Sequence, residues 1–222
     1  MTQIVIFAKA PQPGQVKTRL IPALGAEGAT TLARRMLAHT LQEALAANVG
    51  EVELCMSPAP ADPAWRSVYL DGNVQQIGQG DGDLGARMAR AVARITQQPA
   101  SLATPPTTFS GRSVLLIGTD CPFMTAPLLK QAAQQLEEHD AVLLPAHDGG
   151  YVLLGLKSPC PELFEHMPWS TSVVAVETLR RMATLNMRIW QGPTLHDIDE
   201  PADLQHVTDL FSKTFATNQT ET

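Results

Sequence analysis

The sequence predicts an α/β protein, a three-layer α/β/α sandwich built on a mostly parallel sheet, and three observations carry that expectation. Short runs rich in Ile, Val and Leu recur along the chain, bounded by Pro, Gly and Asp, as strands buried on both faces are. Between them lie longer stretches whose apolar residues repeat at helical spacing. Strand and helix alternate rather than cluster, the pattern of a parallel sheet covered on both sides. In such a sheet, chemistry collects at the carboxyl ends of the strands.

Residues 3–8 form the first strand, closed by Pro11, Pro13 and Gly14. A long helix follows over 28–47, where Ala33, Leu37, Leu41 and Leu45 fall on one face. Further strands are expected at 51–56, 73–77, 113–118, 141–145 and 151–156. Helical stripes join them: Leu84, Met88, Val92 and Ile95; Leu129, Ala132, Ala133 and Leu136; and Leu204, Val207 and Phe211. Residues 57–63, with three prolines, and 98–112, rich in Pro, Thr and Ser, read as surface loops. One domain over 1–211 and a polar, fraying tail over 212–222 are expected, with no internal repeat.

The chain has 222 residues, 44% apolar and 17% charged, enough for a generous core. Its apolar runs stay far below the roughly 20 residues that span a bilayer. The start lacks a basic leader and a long apolar stretch, so a cytoplasmic protein is expected. Cys55, Cys121 and Cys160 are odd in number, distant and without a C-x-x-C pair, which predicts reduced thiols. Sixteen Lys plus Arg against 22 Asp plus Glu give −6, arguing against a nucleic-acid partner. The distribution is more telling than the sum. No acidic residue precedes Glu27, yet Lys9, Lys17 and Arg19 do, so an acidic chain carries a purely basic N-terminal loop.

That loop, F-A-K-A-P-Q-P-G-Q-V-K-T-R-L from Phe7 to Leu20, reads as a phosphate cradle. Prolines limit its conformations, Gly14 lets backbone approach a ligand, and Lys and Arg neutralise phosphoryl oxygens. The alternative is a solvated basic turn. Gly14, Lys17 and Thr18 match a P-loop only in part, because Val16 stands where glycine is required and the first glycine is missing.

G-D-G-D-L-G-A-R, from Gly80 to Arg87, formally satisfies G-x-G-x-x-G, but Asp81 and Asp83 would stand where a pyrophosphate must approach. Asp83 either touches a base or ribose or caps the next helix. L-L-I-G-T-D-C-P ends a strand in Asp120, a good oxygen ligand for Mg²⁺ or Mn²⁺ or, alternatively, a turn aspartate before Pro122.

In H-D-I-D-E-P, an extended backbone puts Asp197 and Asp199 on one face and turns Ile198 to the core; Asp199 or Glu200 can instead cap a helix opened by Pro201. P-A-H-D-G-G-Y brings His147, Asp148, Gly149, Gly150 and Tyr151 to a strand end, either to receive a second substrate or as a hairpin turn. Trp169 precedes a helix and either walls a pocket or packs, with Ser170 or Thr171 as the cap.

Together F-A-K-A-P-Q-P-G-Q-V-K-T-R-L, G-D-G-D-L-G-A-R-M, I-G-T-D-C-P, P-A-H-D-G-G-Y-V-L-L-G-L, W-S-T and D-I-D-E-P-A-D-L resemble, in order, a bacterial family of uncharacterised glycosyltransferase-like proteins. That family belongs to the nucleotide-diphospho-sugar transferase superfamily with the GT-A fold, whose members include phospholactate guanylyltransferases and the molybdenum cofactor guanylyltransferase. The likeness runs from Ile4 to about Leu210. Lys9 stands where many relatives carry Arg and Cys121 where Ser is frequent; neither change removes a charge.

The resemblance implies a nucleotide bound by Phe7, Ala8, Lys9, Pro13, Gly14, Lys17, Thr18 and Arg19, and Mg²⁺ or Mn²⁺ held by Asp120, Asp197 and Asp199. The expected activity is a metal-dependent transfer from a nucleotide sugar to a small-molecule acceptor. Asp120, Asp148 and Lys17 are then the catalytic set, with Asp148 or His147 taking the acceptor proton. Gly149, Gly150, Tyr151, Trp169, Ser170 and Thr171 meet the acceptor. The alternatives are nucleotidyl transfer from a nucleoside triphosphate to a phosphorylated small molecule, and a non-catalytic nucleotide-binding regulatory domain.

Overall fold

Seven strands, β1 (Thr2–Lys9), β2 (Val52–Ser57), β3 (Val74–Gly78), β4 (Ser113–Ile117), β5 (Ala141–Pro145), β6 (Tyr151–Leu156) and β7 (Ile189–Gln191), form one sheet in the order β3-β2-β1-β4-β6-β5-β7. The computed structural model describes residues 1–97 and 111–207, and these strands lie among them. All pairs are parallel except the two made by β6, which runs antiparallel to both β4 and β5. Side chains alternate along β1. Ile4, Ile6 and Ala8 turn to one core, with Leu37 and Leu41 of α1 (Ile21–Ala47) and Leu129 and Leu136 of α3 (Ala126–Glu138). Val5 turns to the other, with Met88, Val92 and Ile95 of α2 (Leu84–Thr96) and Met182 of α4 (Val174–Thr184). Helices thus cover both faces, the three-layer α/β/α sandwich that alternating strands and helices predict.

A third cluster matters for the site. Leu20, Ala29, Leu32 and Met36 enclose Ile198, which is fully buried, so the segment after β7 is pegged to the start of α1. Burying such a side chain contributes about 2 kcal/mol.

The elements depart from the sequence reading in identifiable places. α1 begins at Ile21 rather than residue 28, with a break at Gly25, whose φ of 70° lies in the left-handed region open to glycine. β7 is an addition, three residues on the sheet edge with no alternation to reveal it. Leu84 heads its stripe but is 45% exposed. The last stripe forms a 3₁₀ turn, Pro201–His206, rather than an α-helix over its described part; Phe211, the tail from 212 and residues 98–110 of the Pro-rich loop lie outside the described residues. Neither Ser170 nor Thr171 caps α4, whose N-cap is Val173; the Thr171 hydroxyl donates back to the Pro168 carbonyl at 2.7 Å. Cys55, Cys121 and Cys160 are unpaired. No helix among the described residues is long and apolar enough to cross a membrane.

Candidate functional site

A cleft of about 640 Å³ opens where β1 and β4 end and β6 begins, lined among others by Phe7, Arg19, Leu116, Asp120, Asp148, Tyr151, Trp169, Asp197 and Asp199. A second hollow of about 380 Å³ lies against the basic loop, walled by Phe7, Ala8, Lys9, Lys17, Thr18 and Arg19. The two share Phe7, Arg19, Leu84, Asp120 and Asp199, so they are two lobes of one groove. It lies along the carboxyl edge of the parallel strands, as an open α/β sheet directs.

Backbone pairing brings the acidic segments together. Leu195 N–H donates to the Pro145 carbonyl at 2.9 Å and His147 N–H to the Leu195 carbonyl at 3.0 Å, laying the last segment beside the end of β5. Ile198 N–H then donates to the Asp120 carbonyl at 2.9 Å. With Ile198 buried, Asp197 and Asp199 both face the groove, as an extended backbone requires.

Lys17 joins this acid cluster. Its Nζ lies 2.5 Å from Asp120 Oδ1, and donates to Asp199 Oδ1 at 2.8 Å and the Ile198 carbonyl at 2.7 Å, with its side chain 6% exposed. Burial alone would depress this lysine, but the charges of Asp120 and Asp199 outweigh it and leave its pKa raised. Its backbone is left-handed, φ 47°, an uncommon conformation for a residue other than glycine. The sequence counted Lys17 among three cations offered to a ligand; the fold commits it to two carboxylates. Lys9 is exposed and donates to the Gln15 carbonyl at 2.9 Å. Arg19 stands exposed where the lobes meet and makes no ion pair among the described residues.

The three aspartates expected to hold an ion are neighbours, but they are not a preformed metal centre. No group of three or more His, Cys, Asp or Glu side chains among the described residues is arranged to hold a metal, and the Lys17 ammonium bridges Asp120 and Asp199. The donor set still fits Mg²⁺ or Mn²⁺, which favour carboxylate oxygens. Asp197 carries the sign of that need. Partial burial first, then the charges of Asp148, Asp199 and Asp120, push its pKa up to about 6, and an added cation relieves such repulsion.

The remaining expected residues divide. Gly150, Tyr151, Trp169, Ser170 and Thr171 line the larger lobe. Asp148 does too, its Oδ1 accepting the Gly150 N–H at 2.7 Å. Gly149 does not; its φ is 90°, and a Cβ there would run into the Ser172 carbonyl, so it serves the turn. His147 lies in a stack instead, its ring centroid 3.7 Å from His196, which in turn is 4.6 Å from His206. Pro13 and Gly14 shape the loop without lining either lobe. Asp83 is the N-cap of α2, accepting the Ala86 N–H at 2.8 Å, and lines neither lobe. The Gly80–Asp83 turn is held by α2, Arg90 donating to the Gln79 and Asp81 carbonyls and Arg87 to that of Gly82.

Gln79 escaped the sequence reading. Buried under the loop lobe, its side-chain amide donates to the carbonyls of Ala8 and Cys55 and accepts from Arg87, binding the ends of β1 and β2 together. The histidine stack was equally invisible, since its members sit in three separate segments.

Residues 40–171 match the family described as "Uncharacterized protein conserved in bacteria (DUF2064)". Among solved structures, one named "putative nucleotide-diphospho-sugar transferase" from Desulfovibrio desulfuricans G20 is 28% identical, with a TM-score of 0.81 over 97% of this chain and 95% of that one. A nucleotidyl transferase from Methanothermobacter thermautotroptrophicus is 18% identical, with a TM-score of 0.59 over 96% and 99%. A CMP:2-keto-3-deoxy-manno-octonic acid synthetase complexed with CTP is 12% identical, with a TM-score of 0.56 over 96% and 99%. The fold is therefore the one shared by nucleotide-diphospho-sugar transferases. No curated protein matches the sequence.

Proposed function

The chain belongs to this bacterial family, and from that membership and the two-lobed groove we propose that it is a metal-dependent transferase using a nucleotide-activated donor, a glycosyltransferase acting on a nucleotide sugar. One observation carries the reading: a lobe walled by the basic loop opens directly onto four carboxylates, Asp120, Asp148, Asp197 and Asp199, at the carboxyl edge of the sheet. Arg19 and Lys9 face the donor's phosphates, and Phe7, Ala8 and Thr18 form the wall beside them. Asp120, Asp197 and Asp199 hold Mg²⁺ or Mn²⁺, which when bound stabilises negative charge on the departing nucleoside diphosphate. Lys17 neutralises Asp120 and Asp199 and keeps them in place between turnovers. Asp148, in the larger lobe, takes the proton of the acceptor hydroxyl, a role that His147 in its stack is not placed to fill.

A second reading, nucleotidyl transfer from a nucleoside triphosphate, draws on the fold likeness to nucleotidyl transferases. One experiment separates the two. The pure chain is incubated with Mn²⁺, a panel of small alcohols and phosphate esters as acceptors, and each nucleotide sugar or nucleoside triphosphate, and nucleoside diphosphate and pyrophosphate are followed separately. Nucleoside diphosphate from a sugar donor is expected. Pyrophosphate alone establishes the second reading, and neither product with nucleotide binding intact leaves a regulatory domain.

A further inference from the structure

The larger lobe carries a charge pattern that bears on which acceptor it admits. Five carboxylates, Asp120, Asp148, Asp197, Asp199 and Glu200, line it, and Arg19 is the only cation among its described lining residues. Lys17 adds one positive charge from behind. With a divalent ion in place the negative charges still exceed the positive, before the donor's own phosphates are added. Like charges at contact distance repel strongly at the effective dielectric of a protein cleft. A second phosphate ester has no cation left to meet.

Ser170, Thr171 and Ser172 form the polar part of the remaining wall, and the rest of it is apolar. Met88, Leu116, Met124 and Val152 line it, with the rings of Tyr151 and Trp169. The indole of Trp169 lies over Gly85, where a Cβ would press on it and clash with the Phe164 carbonyl, and the Tyr151 hydroxyl meets Met88 one turn along α2. That hydroxyl finds only the Met88 sulfur, at 3.9 Å, among the described residues. A thioether is a weak acceptor, so the O–H remains able to donate to a ligand oxygen. Leu84, on the wall of both lobes and 45% exposed, extends the apolar surface to their junction.

Resting on the transferase reading above, we propose that this lobe selects an uncharged acceptor, an alcohol or phenol with an apolar body, and excludes phosphorylated and carboxylated ones. The body lies on Met88, Tyr151 and Trp169, and the reacting hydroxyl faces Asp148. In the transfer, the acceptor oxygen bonds to the sugar carbon while that carbon's bond to the phosphate oxygen breaks. The electron pair leaves on the nucleoside diphosphate, and the hydroxyl proton passes to the Asp148 carboxylate.

The test compares 2-phenylethanol with 2-phenylethyl phosphate by saturation-transfer NMR on the full chain with Mg²⁺, with and without a mixture of the four nucleoside diphosphates. The alcohol is expected to bind and the ester to bind at least tenfold less, about 1.4 kcal/mol. Asp148→Asn with Glu200→Gln, both exposed, should raise ester binding severalfold relative to the alcohol. Tyr151→Phe should weaken the alcohol. An ester bound as well as the alcohol, an alcohol not bound, or either set of substitutions without effect overturns the proposal. The comparison is read without nucleotide as well. A chain that prefers the alcohol but binds no nucleoside diphosphate therefore sinks the transferase reading alone.

Discussion

The ammonium of Lys17 lies 2.5 Å from the carboxylate of Asp120, inside the cluster where a cation is wanted. On the proposed reading, lysine and ion compete for the same oxygens. Lys17→Met should lower the melting temperature in chelator by about 4 °C, since the pair is buried on one side and half-exposed on the other. The same variant should gain more from added Mn²⁺ than the unaltered chain does. Equal gains, measured by thermal unfolding across a Mn²⁺ series, would show that the lysine does not occupy the ion's place.

Asp120→Asn tests the cluster from the other side. The substitution keeps shape and hydrogen bonding at an exposed strand end, so the fold should persist. Mn²⁺-dependent nucleotide affinity should fall at least about tenfold, while affinity in chelator should change little. Calorimetric titration with and without Mn²⁺ reads both. A metal-dependent affinity that survives the change takes Asp120 out of the ion site.

The pKa of Asp197, pushed up to about 6, has a definite sign for stability. Above that value the folded chain bears a carboxylate among carboxylates; between about 6 and 4 it binds a proton that the unfolded chain does not, so stability rises as pH falls. His196 works against this. Desolvation, then the charges of His147 and His206, lower its pKa, so stability is lost as pH drops below the ordinary histidine value. Asp197→Asn isolates the first effect. In chelator it should be the more stable form at pH 7 by about 1 kcal/mol after solvent screening, and the gap should close by pH 4.5. Urea unfolding of both forms at the two pH values measures it; a gap that is constant with pH refutes the assignment.

Glu53 on β2 is wholly buried and is gripped by both terminal nitrogens of Arg94, at 2.5 and 2.7 Å, with Gln3 also donating at 3.3 Å. Arg94→Met strands that carboxylate and should cost about 3 kcal/mol. Adding Glu53→Leu should recover most of the loss, because an apolar pair of similar volume removes the charge along with its partner. A double variant no better than the single one, by denaturant midpoint, would mean that packing rather than the charge is at stake.

The strands were legible because Ile, Val and Leu runs such as residues 3–8 and 113–118 carry their burial in their composition. β7 was not, since three residues at an edge leave no period. Nor was the direction of β6, although Asp148-Gly149 offers the hairpin turn that reverses it. Within the site, the strand-end aspartates followed from strand position and two-residue spacing. The placement of Lys17 did not, because its partner Asp199 is remote in sequence and no local pattern records the meeting. The same holds for Gln79, whose three partners come from three elements.

The peg at Ile198 has a consequence for synthesis. A polypeptide stopped at residue 193 already contains all seven strands, yet it lacks two of the four aspartates and two of the three Lys17 contacts. As the chain leaves the ribosome the scaffold precedes its own charge balance. Until Asp199 emerges, Lys17 has Asp120 alone, and a prematurely ended product would be sheet without centre.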